Sequence, residues 1–196
     1  MPGRTSVIKR QTAETKIELS FNIDGQGKGE VDTKIPFFDH MLSLFARHGL
    51  FDLKVEARGD LGVDSHHTVE DVGICLGQAI KESLGDKKGI ARYGYSLLPM
   101  DETLVAVAVD ISGRPYLAYD IDLPIETIGN FDTSLVPEFL QAVVNNAGLT
   151  LHVRLFTGRN PHHIIEAVFK GLGKALDMAT TIDPRISDIP STKGQL

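Results

Sequence analysis

The same polar pattern occurs twice in this chain, and that repetition restricts its fold more than any other feature does. His66-His67-Thr68-Val69-Glu70 and His162-His163-Ile164-Ile165-Glu166 each place a glutamate shortly after two adjacent histidines. The agreement continues at the same offset through Val72 and Val168, Leu76 and Leu172, Gly77 and Gly173, and Ala79 and Ala175. A chain of 196 residues with such a repeat is expected to consist of two related halves that share one core.

No segment rich in proline, glycine or serine separates the halves, so we expect residues 1–196 to form a single domain. The first repeat runs over about residues 10–92 and the second over about 93–190. The tail, 191–196, is expected to contribute to the site. The hydrophobic fraction of 42% is sufficient for a substantial core.

Charge and cysteine content exclude several classes of protein. The net charge is −6, and no run of basic residues is longer than the pair Lys87-Lys88, which argues against nucleic acid and membrane partners. The N-terminus lacks the apolar segment of a signal peptide, and no apolar stretch approaches the length of a membrane span, so we expect a cytoplasmic protein. The single cysteine, Cys75, rules out a framework of internal disulfides and is expected in the core.

Hydrophobic periodicity predicts the order strand, strand, helix, strand, helix in each half. In the first half the ranges are 14–24, 28–35, 38–48, 51–58 and 66–84, and in the second they are 103–110, 115–122, 134–146, 149–157 and 162–179. The helices carry apolar residues on one side, as expected of helices that cover one face of a sheet. The predicted class is therefore α/β (α+β), with pseudo-twofold symmetry and helices packed on one face of a mixed four-stranded sheet in each half.

Two connecting segments lead to predictions of their own. Gly25-Gln26-Gly27-Lys28-Gly29 has the glycine content of a nucleotide-binding loop, but it opens a strand and not a helix. We therefore predict that it forms a hairpin between the first two strands. The extra residues of the second half, around 124–131, are predicted to form a surface loop.

The repeated histidines and glutamates are suited to binding metal ions. Residues three or four apart share a helix face, so Glu70 is able to reach the same ion as His66 or His67. A further alignment matches His40 with Glu138, since each begins the first helix of its half. The full set of candidate ligands is His40, His66, His67, Glu70, Glu138, His162, His163 and Glu166. These are enough for two ions with open positions for substrate, and symmetry indicates that each ion takes groups from both repeats.

The donor types restrict the metal. Imidazole and carboxylate without cysteine argue against a closed structural zinc site and suit manganese or iron, with zinc or cobalt able to substitute. The alternative is that each histidine pair makes only hydrogen bonds at a helix N-terminus. That alternative is reasonable for one pair and weak for two pairs with the same spacing and the same glutamate.

Cations elsewhere in the chain indicate an anionic substrate. Arg92, Arg114, Lys170 and the segment 190–194 supply charges, hydroxyls and backbone N–H groups that together hold a phosphate well. Each basic residue alone is more simply explained as a solvated surface charge. His48, near the end of a helix, either interacts with the helix dipole or lines the site. The residues by themselves therefore predict a duplicated di-metal enzyme that acts on a phosphorylated molecule.

Five motifs closely resemble those of the imidazoleglycerol-phosphate dehydratase family, lyases of histidine biosynthesis. They are Phe38-Asp39-His40-Met41-Leu42, Asp64-Ser65-His66-His67-Thr68-Val69-Glu70-Asp71, Arg92-Tyr93-Gly94, Pro99-Met100-Asp101-Glu102 and His162-His163-Ile164-Ile165-Glu166-Ala167-Val168-Phe169-Lys170. The resemblance extends from about Arg10 to the C-terminal tail. It implies that D-erythro-imidazoleglycerol phosphate, a small phosphorylated imidazole, is dehydrated to imidazole-acetol phosphate. It also implies a hollow 24-subunit homo-oligomer with manganese sites at subunit interfaces.

The resemblance further implies roles for individual residues. The candidate ligands would bind two manganese ions in each active site, and the ions would act as Lewis acids and as a template for the imidazole ring. Catalytic roles would belong to Glu14, which matches an acid/base residue of the family, and to Glu70 and Glu166. The substrate-binding residues implied are Glu14, His40, His48, Arg92, Arg114, Lys170, Ser191, Thr192 and Lys193. Many relatives have histidine where this chain has Glu138, and glutamate, as a harder ligand, favours manganese.

Two other functions fit part of the pattern. A non-catalytic metal-storing shell protein would use the same ligands, but it would not need Glu14 or the basic residues. A di-metal phosphohydrolase usually depends on bridging aspartates, which the two His-His-x-x-Glu segments lack. The dehydratase is therefore the preferred prediction.

Overall fold

The computed structural model of the chain describes residues 3–196, over which helices and strands alternate in two similar halves. The helices are α1 (Pro36–Gly49), α2 (His66–Leu84), α3 (Leu135–Ala147) and α4 (Pro161–Thr180). The strands are β1 (Thr5–Gln11), β2 (Thr15–Asn22), β3 (Gly29–Asp32), β4 (Asp52–Gly59), β5 (Tyr93–Met100), β6 (Thr103–Asp110), β7 (Tyr116–Asp120), β8 (Thr127–Ile128), β9 (Phe131–Asp132) and β10 (Thr150–Thr157). Every helix begins and ends within about two residues of its predicted position, which is the usual uncertainty of helix ends.

Each half contains a mixed sheet of four strands, as predicted. The strand order is β1-β2-β4-β3 in the first half and β5-β6-β10-β7 in the second. In both sheets one edge strand, β3 or β7, runs parallel to its neighbour while the other pairs are antiparallel. The fold class and the internal symmetry are confirmed.

The outer strands β1 and β5 have no counterpart among the predicted elements, and for β5 the packing explains why. In β5 the large apolar side chains of Tyr95 and Leu97 are exposed, whereas the inward positions hold Gly94 and Ser96. A Cβ atom on Gly94 would lie only 1.8 Å from the carbonyl oxygen of Ala175 in α4. Because α4 comes so close, only small residues fit there, and the usual pattern of apolar residues facing inward is reversed.

The predicted hairpin between the first two strands is wrong. β2 and β3 do not pair with each other, because β4 lies between them and bonds to both. The glycine-rich turn is attached to the start of β4, where Asp52 Oδ1 accepts from the backbone N–H groups of Gln26 and Lys28 at 2.8 and 3.2 Å. A Cβ atom on Gly25 would lie 2.2 Å from the backbone nitrogen of Asp52. The glycine therefore permits the close approach that brings in the intervening strand.

The helices pair across the two halves. α1 of the first half packs against α4 of the second, and α2 of the first half packs against α3 of the second. Buried residues of both halves form one continuous hydrophobic cluster, which includes the thiol of Cys75 as predicted. This exchange of partners brings the N-terminal turns of helices from different repeats together.

The extra segment of the second half is a surface loop only in part. Ile125 is 82% exposed, in agreement with the prediction, but Phe131 is fully buried. The ring of Phe131 stacks on Phe38, with centroids 5.9 Å apart, at the start of α1. The segment thus covers the N-terminal end of a helix that carries a candidate ligand. Within residues 3–196 no helix is long and apolar enough to cross a membrane.

Candidate active site

One compact group of potential metal ligands lies where α1 meets α4. Single ligand atoms of His40, His162 and Glu166 all lie within 4.8 Å of one another. Glu166 Oε2 is 3.1 Å from His162 Nε2 and 3.7 Å from His40 Nε2. Two imidazoles and a carboxylate that converge in this way match the donor set of a divalent ion such as manganese, iron or zinc. The group combines a residue of the first repeat with two of the second.

Local sequence explains why these side chains converge. Asn160 caps α4 by accepting from the N–H of His162 through its side-chain oxygen, at 3.0 Å, and Pro161 is the first helical residue. His162 therefore lies in the first turn, and Glu166 follows one turn later on the same face. Only 7% of Glu166 is exposed, so its carboxylate lies against the helix pair rather than in open solvent.

Lys170 extends this group along α4. Its ammonium lies 2.5 Å from Glu166 Oε1. Burial alone would raise the pKa of Glu166, but the hydrogen bond and charge of Lys170, with help from His162 and His40, bring that pKa below its ordinary value. The carboxylate is therefore ionised and ready to act as a ligand at neutral pH.

The symmetry-related group on α2 is more open. His66 Nε2 is 3.8 Å from Glu70 Oε2, and both side chains are almost half exposed. Glu138 lies in the first turn of α3, the helix that packs against α2, and lines a cavity of about 310 Å³ with Tyr119 and Pro137. Within residues 3–196 Glu138 does not complete a compact group with the other two.

The second histidine of each pair points to a different set of partners. The rings of His66 and His67 are nearly perpendicular, at 87°, and those of His162 and His163 are at 84°. His67 Nδ1 lies 3.0 Å from Asp60, and His163 Nδ1 lies 2.8 Å from Glu102. The eight predicted ligands are thus divided between two groups at helix crossings and two separate histidines.

These carboxylates shift the titration of the histidines. The hydrogen bond that His67 donates to Asp60 raises the pKa of His67, and the one that His163 donates to Glu102 raises the pKa of His163. In return, His163 and the backbone N–H of Asn160 lower the pKa of Glu102 to about 2. Sequence reasoning assigned no role to Asp60 or Glu102. Glu102, unlike Asp60, belongs to one of the five motifs that carry the family resemblance, Pro99-Met100-Asp101-Glu102.

Glu14 lies just before β2 and close to the first turn of α2. Its carboxylate is about half exposed and lies 3.7 Å from His67 Nδ1. Thr12 Oγ1 accepts from the backbone N–H groups of Glu14 and Thr15 at 3.1 and 3.0 Å. Thr15 Oγ1 in turn donates to Asp71 in α2 at 2.5 Å. The carboxylate is therefore open to solvent while its backbone is firmly held.

A separate cavity of about 720 Å³ gathers most of the predicted anion-binding residues. Its lining residues are Arg92, Tyr93, Arg114, Asp188, Ile189, Pro190, Ser191, Thr192, Lys193, Gln195 and Leu196. The Arg92 guanidinium is oriented by Asp110 at 2.8 Å and by the carbonyl of Pro190 at 2.9 Å, and it lies over the ring of Tyr93. The C-terminal segment closes on itself, since Ser191 Oγ accepts from the N–H of Lys193 at 3.2 Å. Cations, hydroxyls and backbone N–H groups meet here, as phosphate recognition requires.

Four predicted substrate-binding residues lie elsewhere: Glu14 and His40, whose surroundings are described above, and Lys170 and His48. Lys170 belongs to the α1–α4 group described above and is not among the residues that line the cavity. His48 lies in the last turn of α1, where burial and the charges of Lys170 and Lys174 lower its pKa. The neighbouring cations therefore oppose the positive charge that a helix C-terminus would otherwise favour on His48.

Comparison with known proteins gives a consistent result. Residues 33–176 match the family model described as imidazoleglycerol-phosphate dehydratase. The protein of that name from Geobacter metallireducens is 61% identical over 194 residues, which cover 99% of this chain and 100% of the relative. Its namesake from Moorella thermoacetica is 62% identical over 194 residues, with 99% of each chain covered.

Two solved structures share the fold. The imidazoleglycerol-phosphate dehydratase of Staphylococcus aureus has a TM-score of 0.83 at 45% identity, and the match covers 91% of this chain and 99% of that one. The structure of IGPD from Pyrococcus furiosus in complex with (S)-C348 also has a TM-score of 0.83, at 39% identity, with 96% and 100% covered.

Proposed function

Since the chain belongs to the imidazoleglycerol-phosphate dehydratase family of hydro-lyases in histidine biosynthesis, we propose that it dehydrates D-erythro-imidazoleglycerol phosphate to imidazole-acetol phosphate with two manganese ions in each active site. The observation that carries the proposal is the compact group of His40, His162 and Glu166. The symmetry of the chain supplies a second set of ligand types on α2 and α3. A duplicated pair of sites is what a substrate with two ring nitrogens requires.

The donor chemistry fits the proposed metal. The ligands are imidazole nitrogens and carboxylate oxygens, which suit manganese, and the single cysteine, Cys75, is buried in the core away from these groups. The proposed ligands are His40, His66, His67, Glu70, Glu138, His162, His163 and Glu166. When bound, the ions would supply Lewis acidity and fix the position of the imidazole ring.

We assign proton transfer to Glu14. Dehydration removes a hydroxyl group from the carbon beside the ring and a proton from the next carbon, and the resulting enol gains a proton at the carbon beside the ring to become the ketone. Each transfer requires a carboxylate that is exposed to the substrate and free of a fixed partner. Glu14 meets this requirement, because it is about half exposed and no closer than 3.7 Å to His67.

The phosphate group would bind in the cavity beside the C-terminal segment. Arg92, just before β5, and Arg114, between β6 and β7, line this cavity. Lys193 lines it from the tail together with Ser191 and Thr192. Charge-assisted hydrogen bonds of this kind are strong and directional. Because Asp110 and Pro190 already orient Arg92, little rotamer freedom remains to be lost when the anion binds.

We further propose that the chain acts as a homo-oligomer whose sites lie between subunits, in a particle of 24 copies. Within residues 3–196, none of the proposed metal ligands lines the anion-binding cavity. His67 and His163 likewise lie apart from the group around Glu166. A second copy that brings its cavity and histidines to these ligands would complete the site.

The test is turnover of imidazoleglycerol phosphate by metal-stripped protein before and after manganese is added. We expect keto product to form only after manganese is restored, with phosphate retained in the product. Release of inorganic phosphate would instead identify a di-metal phosphohydrolase. Metal uptake without any product, under every divalent metal tried, would identify a metal-storing shell protein.

A further inference from the structure

The second histidine of each pair has the same kind of partner at the same ring nitrogen. His67 Nδ1 lies 3.2 and 3.0 Å from the two carboxylate oxygens of Asp60. His163 Nδ1 lies 2.8 Å from Glu102 Oε2. In both cases the carboxylate accepts from the Nδ1–H group and leaves Nε2 on the far side of the ring. The exposed Asp101 carboxylate lies 4.0 Å from His163 Nε2, beyond hydrogen-bond distance.

The two carboxylates come from positions that are not equivalent in the repeat. Asp60 directly follows β4, the strand before α2, whereas Glu102 directly precedes β6. The residue that precedes the equivalent strand β2 is Glu14, which lies 3.7 Å from His67 and makes no hydrogen bond to it. The same arrangement has therefore arisen from different elements in the two halves. If both carboxylate–histidine contacts had been inherited from a single ancestral repeat, equivalent positions would supply the two carboxylates.

We propose that Asp60 and Glu102 are positioning residues that hold His67 and His163 with Nδ1 protonated, so that Nε2 of each ring is free to bind a metal ion. The inference rests on the proposed function in one respect, namely that the two histidines are metal ligands. A histidine ligand commonly donates its other ring N–H to a carboxylate, which fixes both the tautomer and the ring orientation. Neither carboxylate needs to touch the ion or the substrate to have this effect.

The other contacts of Glu102 make a sharp test possible. Its Oε1 atom accepts from the backbone N–H groups of Arg159 and Asn160 at 3.2 and 2.9 Å, in the loop that leads into α4. In a Glu102→Gln variant the carbonyl oxygen would keep these two donors, because an amide nitrogen cannot accept from them. The amide nitrogen would then face His163 Nδ1 and donate to it. The ring proton would move to Nε2, and the ring would lose its outward ligand atom.

Asp60 provides a matched control, because both of its carboxylate oxygens lie within hydrogen-bond distance of His67 Nδ1. In an Asp60→Asn variant the amide is free to turn its oxygen toward the ring and keep the Nδ1–H bond. The two substitutions each replace one carboxylate by an amide of the same shape. We therefore expect them to differ strongly in their effect on metal binding.

The first experiment is titration of metal-free protein with cobalt, whose visible absorption reports the ligands around the ion. We expect Glu102→Gln to weaken binding at the affected site by about 10–100-fold and to change the cobalt spectrum, while Asp60→Asn, which is able to keep the Nδ1–H bond through its amide oxygen, weakens binding to a much smaller extent. Thermal unfolding of both metal-free variants checks that the fold is intact. Equal affinity and an unchanged spectrum in Glu102→Gln would overturn the inference. Failure of the unsubstituted protein to bind cobalt would instead contradict the proposed function, and the inference with it.

A second measurement does not depend on metal or on the variant folding. The nitrogen chemical shifts of histidine rings in metal-free protein distinguish the two neutral tautomers, and magic-angle-spinning NMR records them in a large particle. We expect His163, assigned by its loss in a His163→Asn variant, to carry its proton on Nδ1 at alkaline pH. A proton on Nε2 would overturn the assignment of Glu102 as a positioning residue.

Discussion

Glu14 and Glu102 occupy equivalent positions in the two repeats but differ in their freedom. Each precedes the threonine that begins an inner strand, Thr15 in β2 and Thr103 in β6. The Glu102 carboxylate has both oxygens occupied by His163 and by two backbone N–H groups. Within residues 3–196, the Glu14 carboxylate makes only a distant contact of 3.7 Å, with His67 Nδ1. The duplication has thus yielded one carboxylate without a fixed partner and one that is held in place.

The freedom of Glu14 leads to a prediction about turnover. Glu14→Gln should lower kcat by about 10²–10⁴-fold, because the amide cannot take up a proton, while metal content and substrate affinity remain close to normal. Steady-state kinetics together with metal analysis would measure both effects. Glu18→Gln is the matched control, since Glu18 is an exposed residue of the same strand paired with Lys9. Normal turnover in Glu14→Gln would remove this residue from the mechanism.

At the scale of helices, glycine controls how the two halves meet. A Cβ atom on Gly77 of α2 would lie 2.6 Å from the carbonyl oxygen of Val143 in α3. Its repeat partner, Gly173 of α4, would place a Cβ atom 2.5 Å from the carbonyl oxygen of Phe45 in α1. Both helix pairs therefore cross with backbones in close contact. This closeness brings His40 to the ligands of α4.

A substitution that forces these helix backbones apart should destabilise the fold. Gly77→Ala should lower the free energy of unfolding by about 1–3 kcal/mol through overpacking, despite the better helix propensity of alanine. Thermal or denaturant unfolding would measure the change. Gly62→Ala is the control, because no atom of residues 3–196, apart from Gly62 and its chain neighbours, lies within 4 Å of the Cβ position, and its φ is not in the left-handed region. An unfolding free energy of Gly77→Ala that matched this control would show that the helices separate without cost.

At the scale of the whole molecule, the groups that one reaction needs are spread over the surface of a single chain. The anion-binding cavity lies beside the C-terminal segment, and the compact ligand group lies at the crossing of α1 and α4. The continuous hydrophobic cluster ties the two halves together, and we propose that residues 10–92 and 93–190 fold as one unit. Flexible motion between the halves would then not complete the site, and we propose that association of copies does.

Shared sites predict complementation between two inactive variants. One variant carries His67→Asn and His163→Asn, and the other carries Glu70→Gln and Glu166→Gln. Each variant should be inactive alone. Particles reassembled from both should regain part of the turnover, because the intact His67 and His163 of one chain would meet the intact Glu70 and Glu166 of another. Reassembly of either variant with itself is the control. A mixture as inactive as its components would show that each chain builds its own sites.

Local patterns account for much of the agreement between sequence and structure. Helix positions follow from apolar periodicity, and the predicted inner strands β2, β4, β6 and β10 agree closely with the structure. The predictions of strands and strand pairing fail where contacts with a distant segment determine the structure. β5 exposes Tyr95 and Leu97 because α4 lies against its other face, and β2 and β3 are separated because Asp52 holds the glycine-rich turn against β4.

The repeat, the donor types and the closeness of Glu166 to one histidine of its pair follow from the sequence alone, because residues three or four apart on a helix share a face in any fold. Only the tertiary structure decided that His40 joins Glu166 and His162, that His67 and His163 turn toward Asp60 and Glu102, and that Arg92 meets the C-terminal tail. The reason is physical. Such groupings depend on how helices and strands pack. The local sequence around a residue does not indicate which distant residue the packing will place beside it.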